Sequence, residues 1–102
     1  MAEVIVLAGT IRIAPGHKPQ ALPHIEAIVA ASRAEPGCIA YAFAFDVLDD
    51  HLVRIFEVFE NAQALADHRA SPHMTAWRAA WPDAGIGERQ MAQYDVSHWQ
   101  PI

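Results

Sequence analysis

The first strand-like segment of this 102-residue chain is apolar on both of its faces. Residues 3–13 read EVIVLAGTIRI, a run rich in β-branched side chains that stops at the turn residues Pro15 and Gly16. Successive side chains of a strand point to opposite faces. One face therefore carries Val4, Val6 and Ala8, and the other carries Ile5, Leu7 and Ile11. An antiparallel sheet with one face in water would alternate with polar residues, so both faces of this sheet need a covering layer.

Hydrophobic periodicity predicts a helix and a strand hairpin after this segment. From about residue 18 to the EPG sequence at 35–37, apolar and small residues recur at helical spacing on one side: Leu22, Ile25, Ile28, Val29 and Ser32. Residues 38–48, CIAYAFAFDVL, alternate strictly, which predicts a strand with one aromatic face made of Ile39, Tyr41, Phe43 and Phe45. The chain then turns near Asp49 and Asp50, and residues 51–60 form the return strand.

Two capping residues predict two helices in the second half of the chain. Asn61 caps a short helix over residues 62–70. Ser71, followed by Pro72 at the first helical position, begins another helix that carries Met74, Trp77 and Trp81 on one face and closes at Pro82 and Gly85. Residues 87–99 are interpreted as a final strand.

The resulting order, β-α-β-β-α-α-β, predicts a ferredoxin-like α+β fold over residues 1–102 as one domain. This fold places its helices on one face of a four-stranded antiparallel sheet. The apolar second face then needs a partner, and a second copy packed sheet against sheet is the simplest one. We therefore expect a homodimer with an α/β barrel-like assembly.

Composition excludes several classes of partner. The formal net charge is −5, and the seven Lys and Arg residues are spread along the chain, so a nucleic-acid-binding stripe is not expected. No apolar run approaches the roughly 20 residues of a membrane-spanning helix. The single cysteine, Cys38, cannot form an internal disulfide and is expected to pack rather than react, which favours a cytoplasmic location.

The segment HRASPHMTAW at 68–77 holds two histidines five positions apart. On a continuous helix such residues point about 140° apart and cannot grip one ion, and the Ser-Pro break between them weakens this objection without removing it. Spacings typical of zinc sites are missing as well, so no metal is expected. His68 and His73 can each be interpreted as a helix-end residue or as a neutral imidazole that accepts a proton, and both interpretations stay open.

Aromatic and acidic residues on the predicted helix-facing side allow two interpretations. Tyr41 and Phe43 on the strand, with Trp77 and Trp81 on the helix, either line a flat aromatic cavity or simply fill the core.

Glu57 shares the apolar face of the return strand, where an unpaired carboxylate would have a raised pKa. An ion pair with Arg12 or Arg54 is the expected solution.

Two motifs give the chain a family resemblance. The sequence EPGCIAY, followed by IFEVFENAQALADHRASPHMTAW, resembles the antibiotic biosynthesis monooxygenase domain, which includes the bacterial quinol monooxygenases. Phe59 stands where the family usually has tryptophan. The first strand also lacks the asparagine of the haem-degrading branch, so haem chemistry is not expected.

The resemblance implies a dimer of ferredoxin-like subunits that needs no metal, flavin or haem. It implies that a small aromatic quinol or phenol is deprotonated and passes an electron to dioxygen, in a pocket between helices and sheet. His68 or His73 would accept the proton, and the substrate-binding residues would be Tyr41, Phe43, Phe59, Trp77 and Trp81. A noncatalytic dimeric small-molecule-binding or stress-response module, and a small-metabolite isomerase, remain alternatives.

Overall fold

Residues 3–102, described by a computed structural model, form four strands and three helices in the predicted order. Residues 1 and 2 of the expected domain lie outside the described residues. The elements are β1 (Val4–Ile13), α1 (Lys18–Arg33), β2 (Cys38–Phe45), β3 (Leu52–Phe59), α2 (Ala62–Arg69), α3 (Pro72–Ala84) and β4 (Ile86–Val96).

The strands form one antiparallel sheet in the order β2-β3-β1-β4. The buried side of β1 consists of Ile5, Leu7, Ile11 and Ile13, which pack in one core with buried residues of all three helices. The ferredoxin-like fold is therefore confirmed. Within the described residues, none of the helices has both the length and the apolar character needed to cross a membrane.

The predicted caps fix the boundaries of α2 and α3. The Asn61 side chain accepts a hydrogen bond from the Ala64 backbone N–H at 2.8 Å, and Ser71 Oγ accepts one from the Met74 N–H at 3.2 Å. Gly85 ends α3 with φ at 67°, a left-handed conformation that glycine adopts without strain. Because these signals are local, they could be read from the sequence.

Ile39 lies on the other face of the sheet from the one predicted. The register between β2 and β3 shifts between Cys38 and Ala40, which marks a β-bulge at this point. The extra residue breaks the strict alternation, so Ile39 is 57% exposed while Tyr41, two positions on, is buried. The prediction that Ile39 shares the aromatic face of Tyr41 is wrong for this reason.

Candidate active site

A cavity of about 370 Å³ lies between the sheet and the helices α2 and α3. Its wall is largely aromatic: the Tyr41 and Phe43 rings stack at 5.5 Å, and the Phe43 and Trp77 rings meet edge to face at 5.6 Å. Trp81 extends this wall from Trp77, with the ring centroids 6.1 Å apart. The volume and the flat walls suit a small planar ligand. The lining residues are Ile11, Tyr41, Phe43, Ile55, Glu57, Arg69, Met74, Trp77, Arg78, Trp81, Arg89 and Met91.

Four of the five residues predicted to bind substrate line this cavity, and Phe59 does not. Phe59 is fully buried. It follows Glu57 by two residues on the same face of β3, and its ring centroid lies 4.8 Å from that of His68. Its role in the structure is to pack against the imidazole.

Glu57 is the carboxyl group of the cavity wall. It pairs across the sheet with Tyr41 on β2 and with Leu7 on β1, so it sits in the middle of the helix-facing side, and it is 8% exposed. Burial raises the pKa of Glu57 to about 7, although the positive charges of Arg89 and Arg69 oppose the shift.

The predicted ion pair of Glu57 with Arg12 or Arg54 is wrong. Arg12 pairs with Asp49 at 2.7 Å, and Arg54 pairs with Asp46 at 2.8 Å. Both arginines lie on the outer face of the sheet, because side chains alternate between the two faces along each strand. Glu57 lies on the face that packs against the helices.

His68 lies against Glu57, with its Nε2 atom 3.8 Å from Glu57 Oε1. The imidazole is 2% exposed, and burial lowers the pKa of His68 while the Glu35 carboxylate opposes the shift. His68 Nδ1 lies 2.9 Å from Glu35 Oε2 and 3.1 Å from Oε1. We assign the proton to Nδ1, which donates to Glu35, and this leaves Nε2 as an acceptor facing Glu57.

Glu35 joins the two histidines of the HRASPH segment. His73 Nε2 donates to Glu35 Oε2, the same oxygen that accepts from His68. The two imidazole centroids are 6.0 Å apart. The expectation that these side chains diverge is wrong, because the helix ends at Arg69 and a new one begins at Pro72.

The Glu35, His68 and His73 side chains also form one of two groups in the described residues that could hold a metal ion, with their ligand atoms within 4.8 Å of one another. The second group is the exposed turn of Asp49, Asp50 and His51. In the buried group, the nitrogen atoms that would bind an ion already donate to the Glu35 carboxylate. The same atoms can thus be satisfied by hydrogen bonding within the group or by a bound cation.

The EPG sequence brings Glu35 to the histidines. Glu35 lies in the tight turn between α1 and β2, where its carbonyl accepts from the Cys38 N–H at 3.1 Å. Gly37 is in contact with α2, since a Cβ atom at this position would collide with Ala64. The absence of a side chain therefore lets α2 approach the turn. Sequence reasoning missed Glu35 as a site residue, although its place in this turn was the available signal.

The two predicted proton acceptors occupy different positions relative to the cavity. His68 lies behind Glu57 and is not itself a lining residue. His73 lines a separate hollow of about 280 Å³, together with Glu35, Gly37 and Ser71. The group that faces the aromatic cavity directly is the carboxyl of Glu57, with His68 in contact behind it.

Comparison with known proteins places the chain in a family. Residues 4–80 match the family model described as antibiotic biosynthesis monooxygenase. The chain belongs to this family, as the sequence motifs predicted.

Individual relatives and solved structures are similar to this chain over nearly its whole length. An uncharacterized protein of Synechocystis, sll1783, is 31% identical over 100 residues, which is 98% of this chain and 68% of the relative. The crystal structure of PA3566 from Pseudomonas aeruginosa is 28% identical with a TM-score of 0.81, covering 96% of this chain and 97% of that one. A crystal structure described as an antibiotic biosynthesis monooxygenase is 25% identical with a TM-score of 0.79, covering 93% of this chain and 99% of that one.

Proposed function

We propose that this protein is a cofactor-independent monooxygenase that oxidises a small aromatic quinol or phenol with dioxygen. The observation that carries the proposal is the carboxyl group of Glu57 in the wall of the aromatic cavity. Burial raises its pKa to about 7, and His68 lies in contact with it. A group with this pKa is ionised at slightly alkaline pH and is basic enough to take a proton from a bound hydroxyl. Membership of the monooxygenase family supports the same reaction class.

The reaction needs the protein to remove one proton and to exclude water. Loss of a proton turns a phenol or quinol into an anion that can reduce dioxygen directly. For a quinol, one oxygen atom of dioxygen becomes a hydroxyl group on a ring carbon, the ring is oxidised to a quinone, and the other oxygen atom leaves as water. For an anthrone, a related test substrate, the methylene carbon loses two hydrogens and becomes a carbonyl, and the second oxygen atom again leaves as water. The apolar walls of Phe43, Trp77 and Trp81 would hold the planar ring and keep bulk water away.

Glu57, His68 and Glu35 take successive roles in this proposal. Glu57 accepts the substrate proton, because it is the carboxyl on the cavity wall. His68 Nε2 stabilises the protonated carboxyl as a hydrogen-bond acceptor once the 3.8 Å gap shortens by about 1 Å. Glu35 fixes the tautomer of His68, and His73 holds Glu35 in place. His68 thus acts with Glu57 as proton acceptor, and His73 is a positioning residue.

Oxygen uptake with a panel of hydroquinones and anthrones tests the proposal. Wild-type protein is expected to consume dioxygen and to place one labelled oxygen atom in an anthrone product made under isotopically labelled dioxygen. His68→Ala is expected to lower the rate by about 100-fold and His73→Ala by less, whereas His51→Ala, in the distant hairpin turn, keeps the wild-type rate. No uptake across the panel, or unchanged rates in both site variants, would count against a monooxygenase.

We also propose that two copies pack through the outer face of the sheet. This face carries a hollow of about 250 Å³ lined entirely by apolar side chains: Val4, Val6, Ile39, Val58, Val96 and Trp99. Trp99 is 62% exposed and Phe56 is 48% exposed. An exposed apolar surface of this kind is unusual for a monomer and typical of an association site. A second copy would bring the same surface to the contact and cover both.

Val6→Lys is expected to convert the dimer to a monomer. Val6 lies on the outer face of β1, a central strand, so two lysines would meet near the centre of the contact and lose their hydration. Sedimentation velocity should show an increase of about 100-fold or more in the dimer dissociation constant. Thr75→Lys, on the exposed side of α3, serves as the control. A wild-type protein that is monomeric at micromolar concentration would contradict the proposal.

A cytoplasmic location is a further part of the proposal. The sequence has one cysteine, Cys38, which is a free thiol in the structure, so the fold does not depend on an oxidising compartment. Cell fractionation followed by immunoblotting should place the protein with cytoplasmic markers, and recovery from the membrane or secreted fraction would contradict this.

A further inference from the structure

Three arginines from three different elements converge on the mouth of the aromatic cavity. Arg69 is the last residue of α2, Arg78 lies in α3 and Arg89 lies in β4. All three are exposed, and together they are three of the seven basic residues of a chain whose net charge is −5. The acidic majority of the surface makes this concentration of positive charge a distinctive feature of the cavity.

These guanidinium groups have no carboxylate partner among residues 3–102. Arg12 and Arg54, in contrast, form ion pairs with Asp49 and Asp46. Arg69 donates to the Gln93 side-chain oxygen at 3.4 Å, and Arg78 donates to the Arg69 carbonyl oxygen at 3.4 Å. Both are long contacts to neutral groups, so most of the donors of these side chains remain free for a ligand.

Glu57 offsets at most one of the three arginine charges. It is the single carboxylate among the lining residues, and no guanidinium nitrogen of the described chain lies within 4.0 Å of its oxygen atoms. Three positive charges therefore face one carboxyl group. The charged lining residues together carry a net charge of +2 when Glu57 is ionised and +3 when it is protonated. A cavity with apolar walls and this charge at its opening attracts anions.

We propose that the natural substrate is a hydroxylated aromatic carboxylate, whose planar ring lies against Trp77 and Phe43 and whose carboxylate is bound by Arg69 and Arg89. This inference rests on the proposed function and narrows its substrate class. Guanidinium groups bind carboxylates through two parallel N–H donors, which orients the ring as well as binding it. The arginines thus select the substrate, and Glu57 remains the proton acceptor for its hydroxyl group.

Binding of a matched pair of ligands, measured with dioxygen removed so that neither can be oxidised, tests this specificity without any turnover. The probes are 1-hydroxy-2-naphthoate and 1-naphthol, which share the ring and the hydroxyl group and differ in the carboxylate. Quenching of tryptophan fluorescence, checked by calorimetry, should give a dissociation constant about 10-fold or more lower for the naphthoate at about 20 mM salt. At about 300 mM salt this preference should shrink, because the arginines are exposed to screening ions.

The double variant Arg69→Gln, Arg89→Gln tests the contribution of the two guanidinium charges to carboxylate binding. Its preference for the naphthoate is expected to fall to about threefold or less, while its affinity for 1-naphthol stays at the wild-type value and shows that the cavity is intact. Arg54→Gln, on the outer face of β3, is the matched control and keeps the full preference.

Three results would overturn the inference: equal affinities for the two probes, no binding of either probe, or a preference that survives in the double variant. Because binding is measured without dioxygen consumption, these results stay separate from a failure of the proposed oxidation. A protein that discriminates the probes but oxidises no quinol would retain the anion site and lose the monooxygenase proposal.

Discussion

Glu57→Gln is expected to lower the oxidation rate by about 10²- to 10⁴-fold, the range typical of losing a general base. The amide has nearly the shape of the carboxyl, so the ring-binding walls stay in place and KM changes little. Because the substitution removes the proton acceptor alone, the effect should appear in kcat.

The pH dependence of the wild-type rate provides an independent measure of the same group. Burial raises the pKa of Glu57 to about 7, so kcat/KM should rise with pH and level off above pH 7. Glu26→Gln, on the exposed side of α1, should reproduce the wild-type profile. A Glu57→Gln enzyme with a normal rate would show that another group takes the proton.

Glu57→Gln is also expected to stabilise the fold at alkaline pH relative to the wild type. The pKa of Glu57 is about 7 in the folded protein and about 4.5 in the unfolded chain. The folded state therefore holds its proton more tightly, and the stability contributed by this group is complete below pH 4.5 and lost as the pH rises through 7. The difference corresponds to about 3 kcal/mol of unfolding free energy.

Urea denaturation at about pH 5 and about pH 8 measures this difference. Between these values, the unfolding free energy of Glu57→Gln minus that of the wild type should increase by about 2 to 3 kcal/mol. Groups that are present in both proteins, including His68, contribute equally and cancel to a first approximation. A constant difference would mean that the Glu57 carboxyl is already ionised in the folded protein at pH 5.

The elements of the fold were predictable because their signals are local. Asn61 and Ser71 cap their own helices, and the alternation of β1 assigns its faces without knowledge of the neighbouring strands. The bulge at Ile39 escaped prediction because it is defined by pairing with β3. Strict alternation in one sequence does not reveal where a partner strand slips.

The site was only partly predictable, since it depends on contacts between distant parts of the chain. The aromatic wall could be inferred from periodicity within β2 and α3. The hydrogen bonds of Glu35 to His68 and His73 join residues 33 and 38 positions apart, and no spacing rule predicts them. The partner of Glu57 was assigned to Arg12 or Arg54, although the alternation of β1 and β3 already places both arginines on the face of the sheet opposite to Glu57.

The carboxylate of Glu35, shared by two imidazoles, links the interior of the protein to its exterior. Glu57 faces the aromatic cavity, His68 follows behind it, and His73 reaches the separate hollow on the far side of Glu35. A substrate that fills the cavity would block the transfer of its own proton from Glu57 to solvent through the cavity mouth. In the proposed reaction, His68 Nε2 would take this proton from Glu57 while His68 Nδ1 passes its own proton to Glu35, so the carboxylate shared by two imidazoles would hold the proton until the product leaves.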